Sequence, residues 1–171
     1  MKCAQSLVNV LAENIQHAFV VSGGANLHIL DAISKTNGKI QNICTQHEQA
    51  AGFAADAYAR FNGLGCAIVT SGPGFANLLT AIQTSYYDSV PVIYIAGQVS
   101  TSMLDTKGTR QIGFQHSPAV PLAGHFTKMA VEPVSAADVP QWLHELIKVA
   151  KSGRPGPVML SLCDDIQRET I

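Results

Sequence analysis

Charged residues are scarce in this sequence. They make up 13% of its 171 residues, about half of the roughly 25% that soluble domains usually contain. So little charge predicts large buried contacts with another domain or subunit. A compact α/β domain whose parallel strands are covered on both faces would also be poor in charge, so both explanations stay open.

Excess charge, long apolar runs and paired cysteines are absent as well. The net charge is −1 and no basic cluster is interleaved with aromatic residues, which argues against a nucleic-acid or anionic-membrane partner. No apolar run reaches the roughly 18 residues that a membrane span needs, and the N-terminal stretch MKCAQSLVNVLAEN is too polar for a signal peptide. We therefore expect a soluble, cytoplasmic protein.

Metal-binding and redox patterns are also lacking. The four cysteines, Cys3, Cys44, Cys66 and Cys163, form no CxxC pair, so we expect reduced, buried thiols. No histidine pairs with another histidine or a cysteine at ligand spacing. The sequence therefore predicts no metal site built by this chain alone.

What the sequence does contain is a regular alternation of helical and strand patterns, without repeats or linkers. Strands are predicted at 18–21, 39–45, 66–70, 91–97, 125–131 and 155–163, and helices at 3–14, 27–34, 47–61, 75–88 and 138–153. The segment 98–121 is the expected irregular loop. The alternation predicts a single α/β domain over 1–171, with a doubly wound, mostly parallel sheet of about six strands and helices on both faces.

Two glycine-rich loops follow predicted strands, where ligands bind in such sheets. They are VVSGGAN (20–26) and TSGPGFAN (70–77). A glycine turn before a helix can bind an anion, but Pro73 offers no N–H to a phosphate. The glycines can also let a flat ligand approach the backbone, or serve only the tight turn.

The stretch HEQAAGFAADAYAR (47–60) opens on polar groups and continues with small residues. Glu48 at a helix start can simply complement the helix dipole. The small residues that follow let neighbours pack closely, which predicts a buried carboxylate in need of a partner and suited to proton transfer. His47 points in a different direction and is at most a supporting residue. Lys107 and Arg110 could contact an anionic substrate or could be solvated loop residues.

The sequence as a whole resembles the N-terminal, pyrimidine-binding domain of thiamine diphosphate enzymes of the acetolactate synthase and pyruvate oxidase kind. The resemblance covers nearly the whole chain. Its motifs are VVSGGAN, the strand followed by HEQAAGFAADAYAR, VTSGPGFANLLTAIQTSYYDSVPVIYIAGQV, the FQ of GFQH, FTK, and SGRPGPVMLSLCDDIQRE.

The resemblance implies a role for each matching residue. Glu48 is the glutamate that hydrogen-bonds N1′ of the aminopyrimidine and favours the imino tautomer, whose nitrogen takes the proton from the thiazolium C2 for decarboxylation of a 2-keto acid. Against the pyrimidine lie Gly72, Pro73, Gly74 and Asn77, with Ser22, Gly23 and Gly24 along the neighbouring edge. Gln115 lies near substrate and cofactor, and Phe114 in the substrate channel.

Two departures from the family pattern leave the substrate open. Phe114 and Gln115 are followed by His116, Ser117 and Pro118 rather than by the usual acidic residue, and the first turn is VVSGGAN rather than a tyrosine–proline–glycine form. Oxalyl, sulfopyruvate, glyoxylate and pyruvate chemistry all fit.

The family binds Mg²⁺ and the diphosphate with a separate domain that carries a GDG motif, and no GDG occurs here. Its active site also forms between subunits. We therefore expect a homodimer or larger oligomer that is inactive without a diphosphate-binding domain. The ending CDDIQRETI favours an N-terminal piece of a longer enzyme over a subunit of a split decarboxylase, such as a sulfopyruvate type. A non-catalytic self-associating module and an unrelated nucleotide-binding protein are the other hypotheses.

Overall fold

A computed structural model of the chain describes residues 1–105 and 107–171. Six strands form one sheet in the order β2-β1-β3-β4-β6-β5, and every neighbouring pair is parallel. The strands are β1 His17–Val20, β2 Gln41–Cys44, β3 Gly65–Val69, β4 Val92–Gln98, β5 Met129–Val131 and β6 Val158–Cys163. The helices are α1 Cys3–Ala12, α2 Leu27–Ser34, α3 Glu48–Asn62, α4 Pro73–Asp88, α5 Ala119–Gly124, α6 Val139–Lys151 and α7 Asp164–Arg168.

The central strands are buried along their whole length because helices cover both of their faces. Every residue of β3, β4 and β6 is buried. One hydrophobic cluster lies between the sheet and α1, α2, α6 and α7, and a second lies between the sheet and α3, α4 and α5. The predicted doubly wound α/β fold is confirmed, and its parallel order brings all strand carboxyl ends to one edge.

Strand β2 differs from the central strands because it lies at the edge of the sheet. All four of its residues are exposed, including Cys44, whereas Cys3, Cys66 and Cys163 are buried. The expectation of four buried thiols is therefore wrong for Cys44. Burial raises the pKa of Cys3 to about 11 and that of Cys66 to about 12.

The predicted helices and strands differ from the structure more in the second half of the chain than in the first. The predicted loop 98–121 contains a 3-10 turn at Thr101–Met103 and the start of α5. The strand predicted at 125–131 is only three residues long, because the turn after α5 continues to Phe126, whose N–H bonds to the Ala123 carbonyl. The short α7 was not predicted.

Helix α3 matches its prediction closely. Gly63 ends it with φ +80°, a left-handed conformation that glycine adopts without strain. Within the residues that the structure describes, no helix is long and apolar enough to cross a membrane. The same residues include no group of three or more His, Cys, Asp or Glu side chains placed to hold a metal ion.

Candidate functional site

The site lies at the point where the strand order reverses. Strand β1 has β2 on one side and β3 on the other, so the connections after these strands leave in different directions and open a crevice at their carboxyl ends. Three predicted segments meet there: the turn after β1, the start of α3 after β2, and the turn after β3.

Glu48 is the first residue of α3, four residues after the end of β2. His47 caps the helix, because its Nδ1 accepts the N–H of Gln49 at 3.1 Å. This contact gives His47 a structural role beside Glu48. The Glu48 side chain is half-buried in the chain by itself, so the predicted full burial is not reached within this chain.

Glu48 has a hydrogen-bond donor on the neighbouring helix. Asn77 Nδ2 donates to Glu48 Oε2 at 2.9 Å. The contact leaves the second carboxylate oxygen, Oε1, facing the turn at Gly74, where an added Cβ would lie 3.4 Å from it. Glu48 and Asn77, which the family resemblance places against the same pyrimidine ring, are therefore in direct contact.

Thr70, the residue after β3, connects the two glycine turns. A Cβ at Gly23 would lie 2.5 Å from the Thr70 Cβ, and a Cβ at Gly74 would lie 2.8 Å from the Thr70 Cγ2. Both distances are too short for real carbon atoms, so the absence of side chains at these glycines permits the close approach. Sequence reasoning missed Thr70, and its place directly before SGPG was the only local signal.

The turn after β1 is held by buried side chains that sequence reasoning also missed. Asn26 is fully buried; its Oδ1 accepts the Gly23 N–H at 2.9 Å and its Nδ2 donates to the Val21 carbonyl at 3.0 Å. Gln167 of α7 donates to the Ala25 carbonyl at 2.7 Å. Ser22 and Gly24 are exposed beside this framework, and a Cβ at Gly24 would meet nothing within 4 Å.

The turn after β3 packs against the long loop. Gly72 has φ +61° and ψ −122°, and a Cβ there would lie 2.7 Å from the Gln115 carbonyl oxygen. Pro73 then begins α4, where its missing N–H costs nothing. Gln115 therefore reaches the site, at least through its backbone.

Phe114, the neighbour of Gln115, is 83% exposed. Gln98 at the end of β4 holds this loop, since its Nε2 donates to the Ser117 carbonyl at 2.7 Å. Lys107 and Arg110 are exposed on the same loop, and neither contacts a site residue within the described ranges 1–105 and 107–171.

Together these residues lie at the carboxyl edge of the sheet. A half-buried carboxylate, held by an amide donor, borders a surface of glycine backbone and one threonine. Such a surface accepts a flat ring, and the carboxylate can hold or exchange a proton with a ring nitrogen.

The chain is similar to proteins of known families. A family model described as "Thiamine pyrophosphate enzyme, N-terminal TPP binding domain" matches residues 1–118. The acetolactate synthase large subunit of Buchnera aphidicola subsp. Schizaphis graminum is 39% identical over 167 residues, which cover 97% of this chain and 28% of that protein. The large subunit of Haemophilus influenzae is 39% identical over 160 residues, 93% of this chain and 26% of that protein.

Acetolactate synthase 2, chloroplastic, of Nicotiana tabacum is 36% identical over 160 residues, 93% of this chain and 23% of that protein. The chain thus spans about a quarter of the length of these relatives. The chain belongs to the thiamine pyrophosphate enzyme family and corresponds to its N-terminal TPP-binding domain.

Proposed function

We propose that the chain supplies the cofactor-activating half of the active site of an acetolactate synthase-like enzyme, a lyase or transferase that decarboxylates a 2-keto acid and joins the product to an acceptor. The observation that carries the proposal is the Glu48–Asn77 pair beside the Gly72–Gly74 turn, at the carboxyl edge of the sheet. The relatives named above are acetolactate synthases, so they do not favour a sulfopyruvate-type subunit or a non-catalytic module.

The residues at this edge fit the pyrimidine ring of thiamine diphosphate. An added Cβ at Gly74 would lie 2.8 Å from the Thr70 Cγ2 and 3.4 Å from the Glu48 carboxylate, so glycine lets the turn pack closely beside that carboxylate. Gly24 borders open space on the neighbouring edge. Thiamine diphosphate supplies an electron sink for the carbanion that decarboxylation leaves behind.

The chain's own residues handle the proton and the placement of the ring. Glu48 Oε1 or Oε2 would hold or release a proton at the ring nitrogen N1′, because a half-buried carboxylate is suited to this exchange. Asn77 Nδ2 fixes the carboxylate by donating to Oε2. Ser22, Gly23 and Pro73 complete the surface beside the ring, and Gln115 and Phe114 line the side from which substrate arrives.

We further propose that residues 1–171 are one domain and that a separate domain binds the diphosphate and Mg²⁺. The outer face of α3 supports a partner surface, since Phe61 is 91% exposed and Phe53 is 39% exposed on it. We also propose that the protein is a homodimer or larger oligomer in the cytoplasm and is inactive without the diphosphate-binding domain.

The proposal is tested by combining the chain with the diphosphate-binding part of an acetolactate synthase and following 2-keto acid consumption. Activity should require thiamine diphosphate, Mg²⁺ and both parts. Glu48→Gln should lower the rate by about 100-fold or more, the scale of a lost proton-transfer group, whereas Glu145→Gln on the outside of α6 should have no effect. Full activity of Glu48→Gln, or activity of the chain alone, would overturn the respective part of the proposal.

A further inference from the structure

Helices α3 and α4 pack side by side at a constant spacing in sequence. Glu48 meets Asn77, and Asp56 meets Ser85, and the members of each pair are 29 residues apart. Gly52 faces Ala81 at the same spacing, halfway between the two polar pairs. The two helices therefore run parallel in a single register, with Glu48–Asn77 at one end of the contact and Asp56–Ser85 two turns further along.

The middle of the contact allows very little movement. A Cβ at Gly52 would lie 2.5 Å from the Ala81 Cβ, 3.1 Å from a Leu78 methyl and 3.6 Å from the Tyr94 ring. The helix backbones are in close approach here, and the tight packing resists sliding of one helix past the other.

A buried hydrogen-bond network lies at the far end of the contact. Ser85 Oγ donates to Asp56 Oδ2 at 2.6 Å and lies 2.8 Å from the Tyr94 hydroxyl. Because Ser85 gives its only proton to the carboxylate, Tyr94 must donate to Ser85. Burial raises the pKa of Tyr94 above its ordinary value, so this hydroxyl keeps its proton.

Both oxygens of the Asp56 carboxylate accept hydrogen bonds. Asp56 is 4% exposed, and its Oδ1 accepts a bond from Arg60 Nε at 2.7 Å. Arg60 Nη2 donates in turn to Asp88 at the end of α4, also at 2.7 Å. A slip of α4 against α3 would leave Asp56 Oδ1 bonded to Arg60, which lies on the same helix, but would separate Asp56 Oδ2 and the Tyr94 hydroxyl from Ser85. Leaving these buried polar atoms without partners is costly. The network therefore holds the register of the two helices.

We propose that Asp56, Ser85 and Tyr94 are positioning residues for Glu48, acting by holding the register that places the Asn77 amide against the carboxylate. The network lies about 12 Å from Glu48, eight residues at about 1.5 Å each along both helices. Its effect on proton transfer rests on the proposed function. The effect on the Glu48–Asn77 contact does not, because both residues belong to this chain.

The test follows the side-chain amide of Asn77 by NMR in the ¹⁵N-labelled 171-residue chain, without cofactor. Glu48→Gln replaces the carboxylate that accepts from Asn77, so the Asn77 amide signal in this variant gives the reference position for an altered contact. Ser85→Ala should move the Asn77 signal at least halfway toward that reference, and Tyr94→Phe should move it less in the same direction. Ser34→Ala and Tyr87→Phe, the same changes on exposed residues, should leave it unmoved.

Two further variants separate positioning from a general loss of stability. Ile68→Val removes one methylene from the opposite face of the sheet and should lower the urea midpoint without moving the Asn77 signal. An unmoved Asn77 signal in folded Ser85→Ala would overturn the proposal. If Ser85→Ala does not fold, an unmoved signal in Tyr94→Phe overturns it. Loss of activity in Glu48→Gln with no effect of Ser85→Ala on Asn77 would refute the positioning role and leave the proposed function intact.

Discussion

Substitution of Gly52 by alanine tests the close approach of α3 and α4 most simply. The added Cβ would lie 2.5 Å from the Ala81 Cβ, whereas non-bonded carbons normally stay about 3.5–4.0 Å apart. The helices must therefore separate by about 1–1.5 Å. Overpacking of this kind costs about 1–3 kcal/mol, while the better helix propensity of alanine returns about 1 kcal/mol.

The matched control is Gly124→Ala at the end of α5, where an added Cβ meets nothing within 4 Å. This substitution raises the helix propensity without causing a steric clash. We expect Gly52→Ala to be less stable than Gly124→Ala by about 1–3 kcal/mol in urea unfolding of the chain. Ala81→Gly removes the opposing methyl group, so the double variant should lose less stability than the sum of the single variants. Equal stabilisation by the two glycine substitutions would refute the close approach.

Two more outcomes follow from the cysteines and from Asp165. Cys44 should react rapidly with a disulfide reagent in the native chain while Cys3, Cys66 and Cys163 react only on unfolding, because only Cys44 is exposed; fast reaction of more than one thiol would contradict this packing. Burial tends to raise the pKa of Asp165, but hydrogen bonds from the Thr101 hydroxyl and N–H outweigh it and lower the pKa below 3.8. A lowered pKa contributes stability above the unfolded-state value that is lost as the pH falls through the folded-state value. Asp165→Asn should therefore reduce the stability that the chain loses between pH 5 and about pH 3. Urea midpoints at each pH measure this loss, with Asp138→Asn as the control. If Asp165→Asn loses as much stability as the unmodified chain, the Asp165–Thr101 contact is contradicted.

Local sequence patterns predict the helix starts and turns on which some of the site residues lie. Glu48 stands at a helix start after a strand, and Gly72, Pro73 and Gly74 form a turn between strand and helix, so local patterns predict their place in the fold. Their roles at the site are implied only by the family resemblance. The alternation of patterns also predicts the sheet, since parallel strands need helical crossovers. Gly63 similarly marks the end of α3.

The rest depends on contacts between residues far apart in sequence. Asp56 looks like one polar residue in an alanine-rich helix, and only the fold brings Ser85 and Tyr94 to it. The sequence pattern predicts Thr70 only as the last residue of a strand, although its side chain lies between two glycine turns. Gln167 reaches Ala25 across 142 residues. No local periodicity encodes such pairs, so they could not be predicted from this single sequence.

The proposed role of Glu48 is to promote proton release from the bound cofactor. The most direct measurement is the rate of hydrogen–deuterium exchange at the thiazolium C2 of thiamine diphosphate, bound to the chain together with a diphosphate-binding domain. Glu48→Gln should slow this exchange by about 10²–10⁴-fold with bound cofactor still present, whereas Glu145→Gln should leave the exchange rate unchanged. An exchange rate in Glu48→Gln equal to that of the unmodified chain would contradict this role.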